Sequence, residues 1–166
     1  MHPMHHPLFI QFLAYFNGNQ DYFECHEVLE EYWKEVAPRE KTHPLTGWIQ
    51  LATGLYHWRR ENFKGAHTIL IKAERTLNAS IYDPYLEEIN TLNLLNQIHL
   101  SQEKVNNQDP YKCWYIEITS PNLKSKVDAF IESLPPCDYN FIQNKHMLRD
   151  RSDILLARQE KKRSRH

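Results

Sequence analysis

The sequence contains little glycine and no long apolar run, and each shortage argues against a class of function. Only four glycines occur among the 166 residues, and they form neither a Gly-rich phosphate loop nor a GxSxG nucleophile turn. No run of about 18 apolar residues is present, so we expect no membrane span and no membrane partner. The sequence therefore argues against a P-loop nucleotide enzyme, an α/β-hydrolase and an integral membrane protein.

Cysteine is scarce too, and net charge is nearly absent. The three cysteines, Cys25, Cys113 and Cys137, are widely spaced and form no CxxC pair. This usage predicts reduced thiols in a cytoplasmic protein.

The N-terminus has neither the basic region nor the small-residue cleavage site of a signal peptide. A formal charge of -1 provides no overall field that would recruit nucleic acid or acidic membranes.

Positive charge is concentrated in the C-terminal tail, residues 145–166. This segment holds eight Lys and Arg residues against three Asp and Glu residues, so the rest of the chain is acidic. We expect the tail to form a solvated helix. A nucleic-acid contact, and docking of the tail onto the body or onto a second copy in a homodimer, stay open as alternatives.

Helix-forming patterns fill most of the first hundred residues. Apolar residues recur there at helical spacing in five segments, separated by residues that favour turns. The predicted helices span 8–16, 22–36, 45–61, 66–77 and 84–105. Asp21 is a predicted N-cap of the second helix, and Asp83-Pro84 is a predicted start of the fifth. The predicted fold class is all-α, an irregular array of about five helices with a small C-terminal appendage.

The predicted division of the chain is a helical core domain, 1–108, and a C-terminal appendage, 109–166. We place the boundary at NNQDP, because the residue pattern changes after it. CWYIEIT is β-branched and aromatic, and it predicts a short strand or an extended segment. As a strand, it could pair with YNFI in a short hairpin. Ser120 and Pro121 then predict the start of a helix, and the basic tail predicts a terminal helix.

Three histidines lie within the first six residues, MHPMHH. Their imidazoles have the chemistry to bind a metal ion loosely. We expect instead a frayed, solvent-exposed terminus, because chain ends are poorly ordered unless tertiary contacts hold them.

ECHEVLEEYW, residues 24–33, combines packing residues with residues that carry chemistry. His26 and Glu30 are four apart, so they point the same way from successive turns of one helix. Leu29 and Trp33 share this face, which indicates that it packs inward. A buried carboxylate must be paired, hydrogen-bonded or bound to a cation, because an unpaired one costs too much free energy. This face therefore needs a partner.

The following helix offers such a partner. Gln50 and His57 are two helical turns apart, and Gly54 between them permits close helix approach or an open pocket. The short loop between the two helices favours an antiparallel pair, in which His26 and Glu30 face these groups. Two imidazoles and one carboxylate suit Zn, Mn, Fe or Ni without selecting one of them. We therefore predict that His26, Glu30 and His57 bind a divalent transition metal.

Other residues around this face are candidates to support the ligands or to contact a bound small molecule: Gln50, Trp33, Glu27 and Gly54. Glu27 lies on a flanking face, where solvation is the ordinary expectation. The competing interpretation is a satisfied core network, in which His26 bonds to Glu30 while Gln50 and His57 close the set. The pattern is not the zincin HExxH, because Glu30 stands where the second histidine would be.

Several nearby residues receive ordinary structural interpretations. Arg59 and Arg60 end the third helix, where we expect surface charge that complements the helix dipole. Trp48 and Trp58 are expected in the core or at an interface, and not as platforms for a cofactor. Cys25 precedes the candidate histidine, but neighbours on a helix point about 100° apart. A thiol nucleophile paired with that histidine is therefore disfavoured.

Two sequence blocks together resemble the bacterial and archaeal family called domain of unknown function 309. The first block matches the family signature of His, three residues, Glu, two residues and Trp or Tyr, here His26, Glu30 and Trp33. The second block resembles a Gly-Leu-Ile-Gln helix with a later His, here Gly47, Trp48, Ile49, Gln50 and His57. Its Gly-Asn-x-x-Gly-Ala ending is similar to Glu61, Asn62, Gly65 and Ala66. Trp48 replaces the usual Leu, and Glu61 replaces the usual Gly, which affects the turn rather than the polar residues.

The resemblance covers residues 8–80, and the C-terminal third is similar to longer members from Bacillus-like bacteria. It implies a small all-helical cytoplasmic protein whose His/Glu/Trp motif binds metal, and it implies no substrate. We therefore predict a metal- or small-ligand-binding protein with a polar pocket between two helices. If the pocket is catalytic, a metal-activated water is the expected agent, with Glu30 as ligand or general base. The alternative is a non-enzymatic helical interaction module with a protein or RNA partner, in which the polar residues only specify packing.

Overall fold

The part of the chain that the structure describes is built from α-helices. The computed structural model describes residues 1–135, which form six α-helices and no strand, so the all-α prediction is confirmed. The helices are α1 (Pro7–Ala14), α2 (Tyr22–Val36), α3 (Pro44–Arg59), α4 (Phe63–Asn78), α5 (Thr91–Asn106) and α6 (Pro121–Glu132). Short 3-10 turns lie at Pro3–His5 and Pro84–Leu86, and a π-turn at Tyr15–Asn19 follows α1. The basic tail and YNFI lie outside the described residues.

From α1 to α5, helices that are neighbours in sequence pack against one another, and α3 lies in the middle of this series. α3 contacts both α2 and α4, α4 in turn packs on α5, and α1 packs on α2 and α6. Aromatic rings fill the space between α1 and α3, where Trp48 lies with its ring 5.9 Å from Phe9 and 5.3 Å from Phe12. Trp48 and Trp58 are both buried, as a core role requires. Within residues 1–135 no helix has the length and apolar character needed to cross a membrane.

The predicted N-caps form at α2 and α6. Asp21 Oδ1 accepts the backbone N–H of Glu24 at 3.2 Å, and Ser120 Oγ accepts that of Leu123 at 3.2 Å. Each bond satisfies a backbone donor that the first turn of a helix leaves unpaired. α2 also ends at Val36, where it was predicted to end.

The fifth helix begins later than predicted. Asp83 caps only one 3-10 turn, in which its carboxylate accepts the Tyr85 N–H at 3.1 Å and which ends at Leu86. Asn90 then caps α5 by accepting the Asn93 N–H at 3.0 Å. The prediction of a continuous helix from the Asp-Pro pair is therefore wrong. Between the two helical segments, Glu88 O and Asn90 N bond to the backbone of the segment that precedes α6, and a continuous helix would use those groups internally.

Of the two predictions for CWYIEIT, a short strand and an extended segment, the strand does not form. The segment has no regular secondary structure, and its pairing within the described residues is limited to an isolated antiparallel bridge between Ile118 and Ile89. Trp114 and Ile116 are buried while the residues between and beside them are exposed. An extended segment laid across helices produces the same alternation as a strand, so the pattern alone cannot separate the two.

The first part of the predicted appendage packs on the helical core. Trp58 Nε1 donates to Asp109 O at 2.9 Å, and Trp114 Nε1 donates to Ser101 Oγ at 3.0 Å. α6 lies against α1, and its buried side chains join the same apolar cluster as the other helices. Residues 109–132 therefore cover one side of the array, and a domain boundary at residue 108 stays a prediction.

The N-terminal residues are packed, so the expectation of a frayed, exposed terminus is wrong. Met4 is fully buried. Tyr32 Oη donates to Pro3 O at 2.8 Å, and the His6 ring stacks on the Tyr32 ring with centroids 4.1 Å apart. His2 Nδ1 accepts the Met4 N–H at 3.1 Å and so caps the first turn. These contacts hold the terminus on the helix array.

Arg59 is a buried side chain, and the prediction that it is a surface charge is wrong. Its guanidinium carbon lies 4.7 Å from the centre of the Tyr22 ring and 5.5 Å from that of the Tyr111 ring. Nη1 donates to Gln20 O at 2.7 Å. Gln20 closes the π-turn in the left-handed conformation, with φ of 52°. The guanidinium therefore ties the connection between α1 and α2 to the end of α3.

Two glycines let α3 approach α4 closely. A Cβ at Gly54 would lie 2.6 Å from Leu70 Cδ2, and one at Gly47 would lie 2.8 Å from Leu77 Cδ2. Both leucines are fully buried, so neither can move aside without displacing other core atoms. The spacing between the two helices therefore depends on the absence of a side chain at these positions.

Replacing Gly54 with alanine is expected to destabilise the protein by about 1–3 kcal/mol, because the added methyl overpacks the contact with Leu70. At an exposed helical glycine the same change would stabilise by up to about 1 kcal/mol. Urea unfolding of G54A and wild type measures the difference. In the double variant G54A/L70A the glycine change must cost less, since Leu70 no longer occupies the space. Equal costs in both backgrounds would contradict overpacking as the cause.

Arg59→Met is expected to lower the free energy of unfolding by roughly 2–4 kcal/mol, since Gln20 O loses a charged donor and two rings lose their cation. Chemical denaturation measures this change. Arg75 is an exposed arginine on α4, so Arg75→Met is the matched control and should stay within about 0.5 kcal/mol of wild type. An equally small effect at Arg59 would contradict its structural role.

Candidate functional site

His26, Glu27 and Glu30 form a group of possible metal ligands on α2. His26 Nδ1 lies 3.6 Å from Glu30 Oε2 and 3.6 Å from Glu27 Oε1. One ligand atom from each residue lies within 4.8 Å of the others. The separation of four residues brings the Glu30 carboxylate beside the His26 ring, because one helical turn separates them. The two polar residues of the predicted motif are therefore neighbours in the structure.

Lys34 holds the carboxylate of Glu30 from the next turn of α2. Its Nζ lies 2.9 Å from Glu30 Oε1. The hydrogen bond from Lys34 lowers the pKa of Glu30 below its usual range, with a further contribution from His26, and both outweigh the opposing effect of partial burial. Glu30 is therefore ionised at neutral pH, with Oε2 directed toward His26.

The group lies at the edge of the helix array, outside its core. The side chains of His26 and Glu30 are each 35% exposed, and that of Glu27 is 49% exposed. Leu29 beside them is fully buried and packs inward, as predicted. Because water reaches all three polar side chains, they need no buried partner to satisfy their polar atoms.

The structure places Gln50 and His57 in contact with residues outside the His26 group. Gln50 Oε1 accepts a hydrogen bond from Thr76 Oγ1 of α4 at 3.1 Å. His57 Nδ1 lies 3.3 Å from Nδ2 of Asn62, the residue that caps α4. Within residues 1–135, the ligand group around His26 does not include His57. α2 and α3 do form the predicted packed pair, but these polar contacts of α3 are made with α4 and its cap.

Trp33 and Gly54 make contacts that shape the helix array. Trp33 Nε1 donates to Glu40 O at 3.0 Å and so ties the end of α2 to the loop that follows it. Gly54 faces Leu70 of α4, on the packed side of α3. Trp33 and Gly54 therefore both contribute to the way the helices pack.

Cys25 is buried beside α1, where its thiol is a poor nucleophile. Its Sγ lies 3.6 Å from Phe12 O. Burial raises the pKa of the Cys25 thiol well above its usual value, and the negative charge of Asp21 adds to this effect. A thiol in this state reacts slowly, since the thiolate is the nucleophile. The structure therefore agrees with the sequence in giving Cys25 a packing role.

A second group of possible ligands joins the N-terminus to the loop before α5. His5 Nε2 lies 2.6 Å from Glu88 Oε2, and His2 Nδ1 lies 3.4 Å from the same oxygen. The histidines are visible in the sequence as a cluster. Nothing in the sequence indicates that Glu88 meets them, because that contact depends on how the terminus packs on the helices.

Comparison with known proteins gives two matches. The family described as Domain of unknown function (DUF309) matches residues 9–69, which include both halves of the predicted motif. The chain is 33% identical over 167 residues to the uncharacterized protein YpuF of Bacillus subtilis (strain 168), with 95% of this chain and 94% of YpuF covered. No solved structure matches the chain at a significant level. The α2 group and its helix pair lie in the matched segment, and the chain belongs to the DUF309 family.

Proposed function

We propose that the protein binds a divalent transition-metal ion at the α2 group, with His26 and Glu30 as ligands. The observation that supports this most is the convergence of a histidine nitrogen and two carboxylate oxygens within 4.8 Å. Metal–ligand bonds of about 2.1 Å at tetrahedral angles place ligand atoms roughly 3.4 Å apart. The separations of 3.6 Å from His26 Nδ1 need only a small side-chain movement to reach that spacing.

The two oxygens of Glu30 have different roles in this proposal. Oε1 accepts from Lys34, which orients the carboxylate, and Oε2 is directed toward His26 and the ion. Hydrogen bonds of this kind commonly orient ligating carboxylates. Because the lowered pKa of Glu30 keeps it ionised, protons do not compete with the ion for Glu30 at neutral pH.

Two residues compete to be the third ligand, Glu27 and His57. Distance favours Glu27, whose Oε1 is already 3.6 Å from His26 Nδ1. The sequence motif favours His57, which would have to leave its contact with Asn62. The identity of the third ligand affects which metal ion is preferred. A second imidazole suits Zn, Fe or Ni, whereas a second carboxylate shifts the preference toward Mn.

The other coordination positions of such an ion face solvent. The partial exposure of all three side chains leaves room for water or for a small ligand that binds through oxygen. A metal-bound water is a stronger acid than bulk water, and this is the chemistry that a hydrolytic reaction would use. The proposed function is thus metal binding with open positions for a small ligand.

In the double variant His26→Gln/Glu30→Gln, binding of Mn²⁺ or Zn²⁺ at this group is expected to weaken by at least about tenfold, because changes even to groups that merely orient ligands cost this much. Isothermal titration of untagged protein purified without chelator measures the affinity and the number of ions bound. Glu31→Gln is the matched control, since Glu31 is an exposed carboxylate on the same helix and outside the group. Unchanged binding in a folded double variant would overturn the proposal.

Single variants identify the third ligand. Glu27→Gln is expected to weaken binding and His57→Gln to leave it unchanged, and the reverse result would assign the position to His57. The interaction-module alternative predicts no bound metal in wild type. Elemental analysis of the same untagged preparation, with a re-addition titration, tests that alternative directly.

A further inference from the structure

The N-terminal group contains the ligand set of a separate metal site. Two imidazole nitrogens, His5 Nε2 and His2 Nδ1, lie 2.6 and 3.4 Å from one carboxylate oxygen, Glu88 Oε2. All three ligand atoms lie within 4.8 Å of one another. Bonds of about 2.1 Å place the ligands of a tetrahedral ion roughly 3.4 Å apart. His2 Nδ1 is already at that distance from Glu88 Oε2. The distance between His5 Nε2 and Glu88 Oε2 would have to increase by less than about 1 Å.

The local fold holds the two histidines on one side of the chain. They are three apart across a 3-10 turn, which has three residues per turn, so their side chains lie one above the other. Pro3 begins this turn, and burial of Met4 anchors it to the core. The His5 side chain is only 10% exposed, so it is held by packing and does not move freely as in a disordered histidine tract.

Glu88 offers an oxygen that the surrounding protein leaves without a hydrogen bond. Oε2 is buried and accepts no hydrogen bond from the described residues, even though His5 Nε2 is 2.6 Å away. At so short a distance, the missing bond means that the N–H of the ring does not point at the oxygen. A buried carboxylate oxygen in this state is costly unless a cation compensates it.

His2 has the tautomer that a metal ligand needs. Its Nδ1 accepts the Met4 N–H at 3.1 Å, so the lone pair is on Nδ1 and the proton is on Nε2. Nε2 lies 2.9 Å from Glu87 Oε2 and donates to it. A histidine that donates from one ring nitrogen to a carboxylate while its other nitrogen binds the ion is a common arrangement in metal sites. An ion at Nδ1 would take the lone pair that Met4 N–H now uses.

Lys126 opposes metal binding at His5. Its Nζ lies 2.9 Å from His5 Nδ1, and an ammonium can only donate, so His5 Nδ1 accepts and Nε2 carries the proton. An ion at Nε2 requires the other tautomer, with the proton on Nδ1. Lys126 would then have to swing away, which its exposed position on α6 permits. Lys126 therefore lowers the affinity of this site for a metal ion but does not prevent binding.

We propose that His2, His5 and Glu88 bind a divalent ion of the Zn²⁺ or Ni²⁺ class, with Glu87 orienting His2. Two imidazoles and one carboxylate are a set that these ions prefer, and Mg²⁺, which takes oxygen ligands, is not expected to bind. The ion would join the N-terminus to the loop before α5. This site shares no residue with the α2 group, so it stands or fails independently of the function proposed above.

Zn²⁺ titration of four untagged full-length proteins tests both sites separately. The four are wild type, His5→Gln/Glu88→Gln, His26→Gln/Glu30→Gln, and the combination of all four changes. The N-terminal site predicts that His5→Gln/Glu88→Gln loses one bound Zn²⁺ relative to wild type. The same loss must recur when the α2 group has already been removed. If the titration is unchanged by His5→Gln/Glu88→Gln in both backgrounds, the N-terminal site is refuted, whatever happens at α2.

His6 provides the control for non-specific binding to the histidine-rich terminus. It lies in the same tract but outside the ligand group, with its ring against Tyr32. His6→Asn keeps a side-chain acceptor for the Leu8 N–H that His6 caps, and it is expected to leave Zn²⁺ affinity unchanged. Equal losses from His6→Asn and from His5→Gln would show an unstructured histidine tract and overturn the proposal.

Lys126→Gln gives a test that a misfolded variant cannot imitate. The change removes a positive charge and supplies an oxygen that can accept from His5 Nδ1–H, so Zn²⁺ is expected to bind at least about tenfold more tightly. Bound at 100 times its dissociation constant, Zn²⁺ should also raise the melting temperature by roughly 5–10 °C. Weaker or unchanged affinity in Lys126→Gln would contradict the assigned role of His5.

Discussion

The close packing of α3 between α2 and α4 is the contact on which the rest of the structure depends. At Gly47 and Gly54 the helix α3 has no side chain, and the buried leucines of α4 fill the space at these two positions. On other sides of α3, Trp48 packs on the rings of α1 and Trp58 bonds to the segment that precedes α6. One helix therefore supplies contacts to most of the array, while its half-buried polar residues Gln50 and His57 contact α4 and its cap.

This constraint explains where the polar chemistry of the protein lies. His26 and Glu30 remain half-exposed at the edge of α2, because the interior between the helices is taken by apolar and aromatic side chains. Gln50 bonds to α4. Among the described contacts, the polar residues of the motif are thus found in two places, with His26 beside Glu30 on α2 and Gln50 against α4.

The two candidate metal groups differ in how they are assembled. The α2 group is arranged by helix geometry alone, since all of its members lie within five residues of one another. The N-terminal group needs the chain end to pack beside Glu88, so an ion there would be coupled to the stability of that packing. The first site depends on the helix and the second on the tertiary fold. Their responses to partial unfolding should differ for that reason.

The sequence by itself determined the all-α class, the extent of α2, the caps at Asp21 and Ser120, and the proximity of His26 to Glu30. All of these depend on interactions between residues close in sequence, which spacing and side-chain type reveal. Only the tertiary structure decided that Arg59 is buried beneath tyrosine rings and that Glu88 meets the N-terminal histidines. Contacts of this kind join residues far apart in the chain. Their partners are selected by how whole helices pack, and no local pattern records that choice.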